Sequence, residues 1–211
     1  LKYKSLNNKL KFVHITKTAG TYIEDIAFEK NILWGRHDNK LLYLINKYKR
    51  SGPAYGCPWH EPILFLNENP YEKNTKLFTI VRNPYDRIIS ECLCNYGGNF
   101  SEKMKTKEDL NFYINEQIKK KQVLDLSFHH FLPQNLYTHN ESGKKIIDII
   151  IKYEEINKFN DLMKQFNIDI EHVSKKKSKK KFNIKDISEK NIKLINNIYH
   201  LDFIYYNYKK M

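Results

Sequence analysis

The chain is poor in the residues that punctuate or staple a fold. Of its 211 residues, 7 are glycine, 6 proline, 3 cysteine and 2 tryptophan. So little glycine and proline, beside a hydrophobic share of 41%, excludes low-complexity disorder over most of the length. The cysteines, Cys57, Cys92 and Cys94, are too sparse for a disulfide framework and lack a zinc-ligand pattern. Cys92 and Cys94 stand two apart in a stretch that reads as helix, so their side chains diverge. No run approaches the roughly 20 apolar residues that span a bilayer, and no signal peptide is visible. Because the chain opens on Leu1 and reaches a strand almost at once, an anchor ahead of it stays open. Acidic residues are the scarcer sign, 24 against 37 basic, for a net charge of +13. That excess points to an anionic partner (nucleic acid, nucleotide, polyanionic sugar or membrane surface) without choosing among them.

What is present reads as strands alternating with helices. Lys11–Ile15 is a short β-branched and aromatic run, followed by a polar turn and a helix over Thr21–Glu29 with Ile23, Ile26 and Ala27 on one face. Asp38 can cap a helix over Asn39–Lys49, and Ala54–Cys57 reads as a brief strand before the turn Pro58–Pro62. Lys76–Val81 is the clearest strand, and Asn83-Pro84 opens the next helix with proline where a missing N–H costs nothing. An amphipathic helix over Thr106–Lys121 follows, then an irregular aromatic stretch at Phe128–Tyr137. Lys145–Ile151 reads as another buried strand, and a helix runs from about Glu155 to Gln165. A basic loop at Ser174–Lys181 leads to a last helix at Asp186–Tyr199, capped by Asp186 or Ser188. This alternation predicts an α/β fold, a P-loop-like parallel β-sheet flanked by helices, as a single domain over residues 1–211.

Two segments carry chemistry. Thr16-Lys17-Thr18-Ala19-Gly20-Thr21 lies between a strand and a helix, a turn that aims backbone N–H groups at one spot and suits phosphate or sulfate. Lys17 adds a mobile charge, Thr18 and Thr21 hydroxyl donors, and Gly20 a close backbone approach. The lysine precedes the glycine, so this is not a Walker A loop. Arg82 stands at the carboxyl end of the central strand, where open α/β sheets bind ligands, and its planar fork can grip a phosphate. Ser90, about two turns on, can meet the same phosphate, while Asp86 and Arg87 read as surface or capping residues.

FVHITKTAGTYIE resembles the donor 5′-phosphosulfate loop, and VRNPYDRIISE the 3′-phosphate motif, of carbohydrate sulfotransferases of the heparan sulfate 2-O-sulfotransferase-like group. Their order and separation agree, and weaker echoes (FLPQNLY, IIKYEEINKF) extend the likeness over nearly the whole length. Thr16 stands where a proline is usual. The resemblance implies the sulfotransferase fold, with 3′-phosphoadenosine 5′-phosphosulfate as co-substrate. It places Lys17, Thr18, Ala19, Gly20, Thr21 and Tyr22 at the 5′-phosphosulfate, Arg82 and Ser90 at the 3′-phosphate, and Ser174 and Lys175 near the adenosine.

A base must take the acceptor's proton. His60 is the first candidate, because imidazole titrates near neutral pH, and Glu61 is its substitute, since the family places a histidine or glutamate there. His14 reads as packing in or beside its strand. His130 and Gln134, the latter matching a glutamine of the family's Pro-Gln pair, are candidates for contacting the acceptor. No acidic metal site is evident, and none is required, because a sulfuryl group carries less charge than a phosphoryl group. The expected partners are a nucleotide sulfate donor and a hydroxyl acceptor, carbohydrate before tyrosine or a small compound, and no nucleic acid. The rivals are a P-loop kinase-like phosphotransferase, which lacks its Walker A spacing here, and a basic polyanion-binding module, which leaves the two paired segments unexplained. The animal relatives imply the Golgi lumen if an anchor precedes Leu1; the sparse cysteines suit the cytoplasm equally.

Overall fold

The structure, a computed structural model, describes residues 9–47, 58–66, 68–94, 100–120, 129–173 and 181–211. Among these, the sheet has three parallel strands, β1 (Leu10–Val13), β2 (Lys76–Val81) and β3 (Ile149–Lys152), with β2 in the middle. The register sets Leu10 against Lys76 and Phe78 against Ile149. The helices in chain order are α1 (Gly20–Phe28), α2 (Asn39–Lys47), α3 (Pro84–Cys92), α4 (Phe100–Lys103), α5 (Lys107–Lys120), α6 (Asn135–Thr138), α7 (Lys158–Gln165), α8 (Glu189–Ile198) and α9 (His200–Tyr205).

Period-two alternation sorts the strand residues onto two faces. Phe12, Phe78, Ile80 and Ile151 pack with Ile23 and Ala27 of α1 and with Phe159 and Leu162 of α7. Val13, Leu77 and Val81 face the other way, onto Leu132, Tyr137 and Tyr206. Each such buried side chain contributes about 1.5–3 kcal/mol. The result is the expected α/β architecture, a parallel sheet covered by helices on both faces. A third apolar cluster joins α3, α5 and α8 through Ile88, Leu110 and Ile195. Among the described residues no helix is long and apolar enough to cross a membrane.

Where element ends differ from the sequence reading, side chains explain them. β1 stops at Val13, whose carbonyl accepts from the Thr79 hydroxyl at 2.7 Å. β3 begins at Ile149, because Asp148 accepts the backbone N–H of Leu77 at 2.9 Å and the Lys76 ammonium at 2.7 Å. Ser188 caps α8, while Asp186 belongs to a separate capping box with Asn183 on the 3-10 turn Ile184–Asp186. The expected strand Ala54–Cys57 and most of the basic loop, Ser174 to Lys180, lie outside the described residues.

Candidate active site

Parallel strands all end on the same edge of the sheet, and the segments leaving that edge build one cleft. β1 leads into the turn of residues 14–19, β2 into Arg82 and β3 into Tyr153, and all three segments line a cavity of about 540 Å³.

The turn after β1 is held by its own geometry. Lys17 (φ 63°) and Ala19 (φ 76°) are left-handed, with Thr18 of negative φ between them. Such alternation points successive N–H groups inward, toward the N-terminus of α1, and makes an anion-binding concavity. A left-handed residue other than glycine costs about 1–2 kcal/mol, so the surroundings must enforce it. They do: Arg82 Nη1 donates to the Lys17 carbonyl at 3.1 Å, and Arg87 Nε to the Thr16 carbonyl at 3.0 Å. Lys17, Ala19, Gly20, Thr21 and Tyr22 line the cleft. Thr18 departs from expectation. Its side chain is buried, and its hydroxyl donates to the Ile15 carbonyl at 2.7 Å, so it closes the turn instead of offering a donor. Gly20 has a further reason to lack a side chain: a Cβ there would lie 2.1 Å from His14 Cδ2.

Arg82 and Ser90 both line the cleft. Asn83 caps α3 by accepting from Tyr85 N at 3.0 Å, and Pro84 holds its first position, so the Arg-Asn-Pro sequence aims Arg82 and starts the helix that carries Ser90. The Arg82 guanidinium lies 4.5 Å from the centroid of the Tyr153 ring. Its Nε is buried and has no hydrogen-bond partner among the described residues. Gln134 is placed otherwise than expected for an acceptor contact. It is 0% exposed and outside the cleft wall, and its amide bonds both backbone groups of Arg82 at 2.8 Å. It is therefore a support of Arg82. Behind it, Asp202 accepts from the backbone N–H groups of Gln134 and Asn135 at 2.9 and 2.7 Å. Burial pushes the Asp202 carboxyl above its ordinary range, although these N–H groups and the Arg87 charge oppose the shift.

Arg87 also departs from its sequence reading as a surface or capping residue. It is 2% exposed and donates to the Thr16 carbonyl, the Thr16 hydroxyl at 3.0 Å, and the carbonyls of His130 and Leu132 at 3.1 and 2.8 Å. The guanidinium ties the turn after β1 to the 130–132 segment. Thr16 supplies two of these acceptors, its carbonyl and its hydroxyl.

The remaining wall is a row of imidazoles. His60, 7% exposed, has the ring of His14 at 4.2 Å and that of His130 at 5.6 Å, both edge-on, with Trp59 at 5.7 Å. His14 Nδ1 lies 2.8 Å from the Glu24 carboxylate, and His130 Nδ1 lies 2.8 Å from that of Glu91. Both carboxylates are nearly sealed from solvent, at 0% and 3% side-chain exposure. Glu61 is buried and does not line the cleft, whereas His60 does. Ser174 and Lys175 lie outside the described residues. Among the described residues, no group of three or more histidines, cysteines or carboxylates is placed to hold a metal.

His14, Glu24, Arg87 and Glu91 were not anticipated as parts of this constellation. Helical periodicity carried a signal for two of them: Glu24 shares the buried stripe of Gly20, Ile23 and Ala27, and Glu91 that of Ile88 and Cys92. A carboxylate on an apolar stripe needs a buried partner.

A family model described as "Sulfotransferase family" matches residues 5–209 of the chain. No curated protein and no solved structure shows a significant match.

Proposed function

The chain belongs to the sulfotransferase family, and from that premise we propose that it transfers a sulfuryl group from 3′-phosphoadenosine 5′-phosphosulfate to a carbohydrate hydroxyl, with His60 as general base. One observation carries the reading. The left-handed turn at Lys17–Ala19, the start of α1 and Arg82 converge on one cleft, and Arg82 Nε is buried there without a partner among the described residues. An anion supplies the acceptor that this atom lacks. The cavity of about 540 Å³ also has the size of a small-molecule site.

In this reading the Lys17–Tyr22 segment holds the 5′-phosphosulfate, with Thr18 contributing backbone and turn closure, and Arg82 with Ser90 holds the 3′-phosphate. The resemblance assigns Ser174 and Lys175, which lie outside the described residues, to the adenosine. The donor supplies a sulfuryl group already activated as an anhydride with phosphate. His60 accepts the acceptor's hydroxyl proton while the bond from that oxygen to sulfur forms in line and the bond from sulfur to the bridging oxygen breaks. Lys17 and the N–H groups of the turn stabilise the charge left on the bridging oxygen; one such donor is worth about 2.7–4 kcal/mol. The lower charge of a sulfuryl group lets this cationic lining serve without a metal. Trp59 and His130 flank the base and face the acceptor. The net charge of +13 and the resemblance to the heparan sulfate 2-O-sulfotransferase-like group favour a carbohydrate acceptor.

Calorimetric titration with adenosine 3′,5′-bisphosphate tests the donor site. Metal-independent binding that Lys17→Ala and Arg82→Ala each weaken by 10-fold or more, in the order expected for a lost charged hydrogen bond, supports the reading. Preference for ATP with magnesium contradicts it.

A further inference from the structure

We infer that His14 with Glu24, and His130 with Glu91, are positioning residues for the base: the two carboxylate-anchored imidazoles steady His60 and stabilise its protonated form. The inference rests on the assignment of His60 as base.

A general base becomes a cation at the moment of reaction. His60 does so in a wall where it is 7% exposed, so water supplies little of the solvation that an imidazolium needs. The protein must supply it instead. Its rings flank His60 edge-on at 4.2 Å (His14) and 5.6 Å (His130). Each flanking ring lies 2.8 Å, through Nδ1, from a nearly buried carboxylate. A carboxylate bonded there fixes the ring's orientation and holds the proton on Nδ1, as second partners do for catalytic and metal-bound histidines. Two carboxylates thus each lie one ring away from His60.

The other charged groups around the base do not act equally. Lys17 and Arg82 line the same cleft and oppose a cation on His60, as does Arg36. Arg36 also draws on Glu24, through its backbone N–H at 3.2 Å and its guanidinium at 3.7 Å, and pairs with Asp25. Arg87 donates to the backbone carbonyl of His130 at 3.1 Å. Glu61, next in sequence, is buried outside the wall, and Cys94 lines it. Glu91 has His130 as its ion-pair partner among the described residues, so its charge is the less compensated of the two. Glu91 is therefore the residue to test.

The experiment is the pH dependence of kcat/KM for Glu91→Gln, with Glu24→Gln, which removes the other carboxylate, as a second variant in case the first does not fold. A nearby anion favours the protonated imidazole, so its removal lowers the pH at which His60 protonates. The acidic limb of the profile is expected to move to lower pH in either variant, and the plateau to fall by about 10–100-fold. The calorimetric affinity for adenosine 3′,5′-bisphosphate stays unchanged. An acidic limb that does not move, or a loss of activity matched by a loss of bisphosphate affinity, overturns the inference. His60→Ala separates the two layers. If that variant keeps both activity and limb, the base assignment fails and this inference with it. If it is inactive while Glu91→Gln leaves the limb in place, only the positioning role fails.

Discussion

Replacing Arg87 with methionine keeps an unbranched stem of about the length that reaches Nε and removes the guanidinium with every donor it carries. Four hydrogen bonds disappear, at 3.0, 2.8, 3.0 and 3.1 Å, to the Thr16 carbonyl, the Leu132 carbonyl, the Thr16 hydroxyl and the His130 carbonyl. At roughly 1–1.5 kcal/mol each, their loss amounts to about 4–6 kcal/mol. Relief from burying a guanidinium offsets part of this and leaves a net destabilisation of about 3 kcal/mol. For a chain of this size 1 kcal/mol shifts the melting temperature by about 2–4 °C, so Arg87→Met should melt about 6–12 °C below the wild type. Arg87→Lys, with one charge and three donors, should regain part of the difference. The same bonds anchor Thr16 at the entrance of the donor turn, so the affinity for adenosine 3′,5′-bisphosphate should fall as well. Circular dichroism melting and calorimetry on the purified variants read both. A melting temperature within about 2 °C of wild type refutes the claim that Arg87 ties the turn to the 130–132 segment.

Three further substitutions probe other links. Gly20→Ala forces a Cβ to within 2.1 Å of His14 Cδ2 and should destabilise by about 1–3 kcal/mol while lowering kcat, both measurable on one preparation. Gln134→Leu leaves the Arg82 backbone N–H and carbonyl without their amide partners, so donor affinity should fall more than the KM for acceptor changes. His139 stacks on Tyr205 at 4.0 Å, and burial, aided by the Lys145 charge, holds its imidazole below the ordinary range. Such a group contributes stability that is fully present above about pH 6.5 and is lost as pH falls through the lowered folded value. The melting temperature should therefore decline from pH 7 to 5, and His139→Phe should flatten that decline.

The strand–turn–helix of residues 10–28 was legible because local rules govern it: a β-branched run, a turn with one glycine, then an apolar stripe of period 3.6. The Arg-Asn-Pro helix start was legible for the same reason. Contacts between distant segments were not. Arg87 reads as an ordinary polar helix residue until residues 130–132 arrive above it, and Gln134 reads as exposed until the backbone of Arg82 takes its amide. Thr18 could be identified as part of the turn, but whether its hydroxyl faces ligand or Ile15 depends on φ values that sequence does not encode residue by residue. The histidine row was invisible for a related reason. His14, just past β1, and His60 and His130, on two 3-10 turns, come from three separate stretches and meet only in the folded chain.

The central claim is the transfer itself. Incubation of the protein with radiolabelled 3′-phosphoadenosine 5′-phosphosulfate and a panel of polysaccharide acceptors, beside Lys17→Ala and His60→Ala, tests it most directly. The account predicts label in a carbohydrate with the wild type and essentially none with either variant. Bisphosphate binding should be weakened in Lys17→Ala and retained in His60→Ala. Labelled carbohydrate at undiminished rate from both variants, or no transfer to any acceptor despite bound donor, would contradict it.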